Sequence, residues 1–169
     1  SLALSGVTQQ PWFGLKIHRE FRTLVLQTEN GMLRLHRESL DYPEIEYGDS
    51  VLVSEPPELG LRFDDTVFLT DLEQAIRSQK PDLVVIDPWN SVAPSDTRES
   101  TINAIETVRG AIGYGDKSPA IMLVHHTRKP SSSKNRRKGR SLIHELAGSY
   151  ALAGHARSVF VLEAVSDRT

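Results

Sequence analysis

Asp87 closes an uninterrupted apolar run, Leu83 to Ile86, within the stretch PDLVVIDPWN. Glu29 comes shortly after a second run, Thr23 to Gln27 (TLVLQ), and His125 and His126 follow a third, Ala120 to Val124 (AIMLV). Continuous apolar runs rich in β-branched residues are the pattern of strands buried on both faces of a parallel sheet. Acids and imidazoles placed after such strands emerge along one edge, where open α/β sheets take their ligands. An aspartate at the end of four apolar strand residues has the placement of a magnesium-positioning carboxylate in phosphoryl transfer. A second carboxylate nearby is the residue type that orients an attacking water. The plainer reading of each acid taken singly is a solvated strand end, with Pro88 acting only as a strand breaker.

Neighbouring residues on a strand point to opposite faces, so only one of the two histidines can enter a shared site unless the strand has already ended. A metal centre is the rival chemistry for two acids and a histidine. No paired HxxxH spacing is present, and the remaining histidines (18, 36, 144 and 155) are scattered. A serine hydrolase is disfavoured too. There is no GxSxG, and Gly148-Ser149 is followed by Tyr150-Ala151 in a segment with helical spacing.

The elements that must hold these residues alternate along the chain. Ser1 to Val7 has a helical composition with no capping residue ahead of it. After the breaker Pro11 to Gly14 comes the Thr23 to Gln27 strand, then a helix over 31–40 and a loop-rich passage over 41–60 around a short strand at 51–53. Thr70, three residues before Glu73, matches a capping box and predicts a helix through about Ser78. That helix feeds the Asp87 strand. Ile102, Ile105, Val108 and Ile112 recur at helical spacing, ended by Gly113 and Gly115. A helix over 142–156 and a fourth strand over 158–162 (SVFVL) complete the pattern. Strand and helix in alternation predict a doubly wound, mainly parallel sheet flanked by helices.

At 169 residues the chain forms one domain with room for a real core, and its net charge of −2 does not mark it as a nucleic-acid or membrane binder. The charge is unevenly placed. Arg128, Lys129, Lys134, Arg136, Arg137, Lys138 and Arg140 lie in a segment without an acid, leaving 13 basic against 22 acidic residues elsewhere. This segment, 128–140, is expected to be a mobile loop unless something binds it. Its alternatives are a phosphate-backbone contact or a solvated charge run. The absence of cysteine excludes disulfides, thiolate metal sites and a cysteine nucleophile. No apolar stretch reaches membrane-spanning length and the N-terminus lacks a basic region typical of a signal peptide, so the expected location is cytoplasmic.

The order LVLQTEN, DLVVIDPWNS, IMLVHHTRK, a basic loop and LAGSYALAGHARSVFVLE resembles the RecA-like P-loop ATPases of the RepA type, relatives of the hexameric replicative helicases. The resemblance covers nearly the whole chain. It implies a RecA-like fold, ATP and Mg2+ as cofactors, and self-association as a ring or filament. It also implies binding to DNA, single-stranded in particular. Asp87 matches the Walker B aspartate. Pro88 stands where another ATPase class carries a glutamate, so the resemblance puts the general base at Glu29. His126 matches the residue that senses the γ-phosphate, with His125 as the alternative. Arg157 matches an arginine that reaches the neighbouring subunit's nucleotide. The basic segment takes the place of the DNA-facing loop.

The GxxxxGK[ST] phosphate loop is absent, and Ala147 stands where the family has an arginine. SLALSG resembles the helix that follows the phosphate loop, which makes Ser1 the candidate motif Ser/Thr and a ligand for the nucleotide and Mg2+. The expectation is therefore a RecA-like core whose first strand, phosphate loop and closing strands lie outside these residues. The expected activity is ATP hydrolysis coupled to DNA binding or unwinding. The alternatives are a recombinase-like or regulatory ATPase, and a non-catalytic RecA-fold module that binds DNA or protein.

Overall fold

The computed structural model describes residues 1–30, 32–42, 44–54, 60–89, 92, 95, 97–113, 118–127, 139–145 and 151–162. In chain order these form α1 (Leu2–Thr8), β1 (Thr23–Gln27), α2 (Met32–Leu40), β2 (Val51–Val53), α3 (Thr66–Gln79), β3 (Leu83–Asp87), α4 (Arg98–Ile112) and β4 (Ala120–Leu123). A 3₁₀ helix (Gly139–Glu145) and α5 (Ala151–His155) follow.

The four strands make one all-parallel sheet in the order β2-β1-β3-β4. The chain leaves β1 to one side to form β2, then returns across β1 to place β3 on the other side and β4 beyond it. With the right-handed connections such units take, α2 and α4 leave their strands toward opposite faces. The order therefore reverses between β1 and β3, and the crevice beyond their C-terminal ends is the topological switch point of the sheet.

β3 is the central beam, with Leu83 to Ile86 all buried. Leu24, Leu26, Val84 and Ile86 face a core built with Leu61, Phe63, Leu72, Trp89, Ala104, Ile105, Val108, Ile112 and Leu152. The α4 stripe Thr101, Ala104, Ile105, Val108 and Ile112 follows the 3.6-residue period, which is why α4 lies flat on the sheet. α3 and α5 pack against α4. At the N-terminal end of the sheet the carboxylate of Asp82 accepts from the Arg22 backbone N–H at 3.0 Å and from Arg19 Nη2 at 3.0 Å, aligning the entries to β1 and β3.

Several expectations are corrected. The capping box at Thr70 does not start α3. Asp65 does, accepting from Val67 N at 2.8 Å and Phe68 N at 3.2 Å, with Phe63 packed edge-on to Phe68 just outside the cap. Thr70 instead donates its hydroxyl to Thr66 O, one turn back. Ser1 itself caps α1, its Oγ accepting from Leu4 N at 3.4 Å. β4 is not a strand buried on both faces: Ala120 is exposed and Ile121 to Leu123 are half-buried, because β4 stands at the sheet edge among the described residues. Residues 158–162 are not a strand. Val159, Phe160 and Leu162 are exposed, and Phe160 meets the ring of Trp12 rather than a ladder partner. Within 142–156 the described structure is a 3₁₀ turn and a short α-helix. The 3₁₀ turn includes Arg140, the last residue of the basic segment, while 128–138 lie outside the described residues.

Thr23 is fully buried, and its hydroxyl has no described hydrogen-bond partner although its N–H donates to Ser50 O at 2.8 Å. A desolvated, unsatisfied hydroxyl costs about 1–3 kcal/mol. Thr23→Val keeps the shape and removes the hydroxyl, and is expected to raise unfolding stability by about 1 kcal/mol. Denaturant titration checks this; destabilisation would show that the hydroxyl is satisfied.

Candidate functional site

Glu29 and Asp87 are placed by one local arrangement at the switch point. Gln27 pairs with Asp87 in the β1–β3 register, and Thr28 N then donates to Asp87 O at 3.2 Å. Glu29 follows immediately, so its backbone is tied to the last residue of β3. The ladder between β3 and β4 continues past both strands: Val124 N donates to Ile86 O at 2.9 Å and Trp89 N to Val124 O at 2.7 Å. The peptide joining Asp87 to Pro88 is cis. These bonds carry the chain from β4 to the same edge, where His126 Nε2 lies 3.4 Å from Glu29 Oε1.

Glu29, Asp87 and His126 thus converge, drawn from three strand ends. His126 is the histidine that reaches Glu29. β4 ends at Leu123, so strict alternation no longer governs the two histidines. Among the described residues the site is a pair of acids with one imidazole beside it. Burial pushes the Asp87 carboxyl above its ordinary value, the Glu29 charge pushes it further, and His126 opposes both. Glu29 and His126 are about half exposed, so this edge is open to a ligand.

The turn that carries Glu29 depends on a residue that strand periodicity does not single out. Gln27 is 1% exposed; its Oε1 accepts from Asn30 N at 2.8 Å and its Nε2 donates to Ser54 O at 3.1 Å. Its buried amide therefore clamps both sides of Glu29's turn to the segment leaving β2. A polar residue closing an apolar strand was the available signal, and it reads equally well as an ordinary strand end.

The other candidates stand apart from this cluster. Ser1 borders a groove of about 610 Å³ between α1 and Tyr42, Glu44, Ile45 and Glu46, and none of its described contacts reaches Asp87. His125 is half-buried beside His126. Arg157 is exposed just after α5. Arg128, Lys129, Lys134, Arg136, Arg137 and Lys138 lie outside the described residues, and Arg140 is in the first turn of the 3₁₀ helix. Among the described residues no group of three or more His, Asp or Glu side chains is arranged to hold a metal ion by itself, and no helix is long and apolar enough to cross a membrane.

No protein-family model matches the chain, and no curated protein matches it.

Proposed function

We propose that this chain is the core of a RecA-like, DNA-coupled ATPase. The observation that carries the reading is the meeting of Glu29, Asp87 and His126 at the switch point of a parallel sheet, with Asp87 held in a raised-pKa state by burial and by Glu29. A carboxylate in that condition favours a cation beside it. Magnesium in phosphoryl-transfer sites is held by one or two carboxylates, waters and the substrate's phosphates rather than by an all-protein cage. The residues present fit that arrangement.

Bound magnesium would gather the charge of the nucleotide phosphates. Asp87 would hold it through its water shell. Glu29, on the same edge, would orient the attacking water and accept its proton, and His126 would contact both Glu29 and the transferring phosphate oxygens. A phosphate loop would complete the nucleotide site; Ser1, which caps α1 and borders the groove beside Tyr42, is not assigned to it. Arg157 would act on the nucleotide of a neighbouring copy in a ring or filament. Helicase is the preferred form of the activity.

The test is DNA-stimulated ATP turnover in a chain extended upstream of Ser1, with residues 1–169 as control. Turnover in the extended chain alone supports the reading. Its absence from both favours a non-catalytic binding module. In the same assay, neutralising Arg136, Arg137, Lys138 and Arg140 is expected to weaken DNA binding and to reduce the slope of log affinity against log salt by about 3, at ~0.7 per lost single-strand phosphate contact. Unchanged affinity and slope would return the segment to a solvated charge run.

A further inference from the structure

Glu29 is half-exposed, and its described side-chain hydrogen bond is the 3.4 Å one to His126, so the backbone of its turn sets where the carboxylate stands. That backbone is tethered on both sides. Before Glu29, Thr28 N donates to Asp87 O at 3.2 Å; after it, Asn30 N donates to Gln27 Oε1 at 2.8 Å. The first tether continues the ladder from β3. The second is a side chain, and its own anchor lies on the opposite neighbour, β2.

That anchor is Ser54, the residue after β2. Its N–H donates to Val25 O at 2.9 Å, its hydroxyl accepts from Gln27 N at 3.4 Å, and its carbonyl accepts from Gln27 Nε2 at 3.1 Å. An amide suits this place because one end accepts from Asn30 while the other donates to Ser54. A carboxylate would lack the donor, and a thioether of similar length would offer only a weak acceptor. Gln27 is 1% exposed, so water cannot replace a lost bond. An apolar residue would close β1 without desolvating an amide. What distinguishes glutamine here is the pair of bonds that flanks Glu29.

We propose that Gln27 is a positioning residue for Glu29, fixing it between β3 and the exit of β2 through the Asn30 N–H and the Ser54 carbonyl. That the positioned group is a catalytic base rests on the ATPase reading above; the coupling of Gln27 to the Glu29 carboxylate does not. A misplacement of about 1 Å in a reacting group costs on the order of 10²-fold in rate, which sets the effect to look for.

The test is a double-mutant cycle between Gln27 and Glu29. Gln27→Met, close in length, removes both side-chain bonds; in the upstream-extended chain it should lower kcat for ATP about 10²-fold, with KM within about threefold. Added to Glu29→Gln it should cost less than about twofold more, because the group it positions has already lost its basicity. Equal fractional losses in the two backgrounds would make Gln27 merely structural and overturn the proposal. Ile112→Val, a buried change in the core, controls for lost stability, and a matching fall in its kcat would likewise overturn it. Gln27→Glu keeps the shape and the acceptor for Asn30 N; it should fall between parent and Gln27→Met, and it takes the place of Gln27→Met in the cycle if the methionine variant does not fold. A second arm needs no nucleotide. In residues 1–169 the His126 ring resonances, assigned by their loss in His126→Gln, report the contact with Glu29. Gln27→Met should move them as Glu29→Gln does, and the double variant should move them no further than Glu29→Gln alone. Unmoved resonances would overturn the proposal. If the extended parent does not turn over ATP, the ATPase reading fails, and this arm still decides the coupling; turnover in the parent with additive losses removes only the role of Gln27.

Discussion

Glu29→Gln, made in the upstream-extended chain, is expected to lower ATP turnover by about 10²–10⁴-fold while leaving nucleotide binding near normal. Glutamine keeps the size of the side chain and an oxygen that can still approach His126, now 3.4 Å from Glu29 Oε1. It cannot accept a proton from water. The substitution therefore separates orientation from basicity, and the loss should appear in kcat rather than in KM. It also removes one of the two causes that raise the Asp87 carboxyl pKa; burial, the larger, remains. Asp87 would thus still be disposed to hold magnesium. Single-turnover kinetics beside equilibrium binding of a non-hydrolysable nucleotide would check the result. Near-normal hydrolysis would remove Glu29 as the base, and lost binding would make it a nucleotide-positioning residue instead.

How much of this site can be read from the sequence follows from what strand and helix periodicity encode. Leu83 to Ile86 announce a two-sided strand because every residue in the run is apolar, and the structure buries all four. Of the expected stripe Ile102, Ile105, Val108 and Ile112, the last three are buried and lay α4 on the sheet, while Ile102 is only half-buried and Thr101 and Ala104 fill the stripe instead. That Glu29, Asp87 and a histidine share one edge follows from parallel strands alone. That Glu29 and Asp87 straddle the switch point does not, because strand order is set by crossovers that leave no periodic mark. The choice between His125 and His126 was undetermined by alternation because β4 ends at Leu123. Gln27 was missed because a buried amide that ties two loops looks, in sequence, like a polar strand terminus.

Local signals failed where two were in competition. Thr70 and Glu73 satisfy the capping-box pattern, but Asp65 precedes them with a better cap and with Phe63 and Phe68 to brace it, so α3 begins a turn earlier. Residues 158–162 have strand composition, yet a strand is stabilised by its ladder and cross-strand neighbours. Here Phe160 packs on Trp12 instead. Apolar composition set the tendency, and the available partner decided the outcome.

Asp87→Asn should divide stability from function in opposite directions. In the folded chain the Asp87 carboxyl pKa lies above its ordinary value, first through burial and then through Glu29. A carboxylate whose pKa is raised on folding destabilises the native state when it is charged in both states. This holds fully above the folded-state pKa, fades as pH falls through that value, and is gone below the ordinary carboxylate value of about 3.9. Asparagine carries no charge at any of these pH values. The variant should therefore exceed the parent in stability at pH 7.5, with a gap that closes as pH approaches 4. Magnesium should narrow the gap from the other side, since a cation bound only by the native parent stabilises it by mass action. Turnover in the extended chain should meanwhile fall by about 10³-fold or more, as several kcal/mol of charge stabilisation are lost with the metal's anchor. Denaturant midpoints at the two pH values, with and without magnesium, decide the matter. A stability difference independent of both pH and magnesium would mean that Asp87 is only a strand-end acid, and the phosphoryl-transfer reading would lose its central residue.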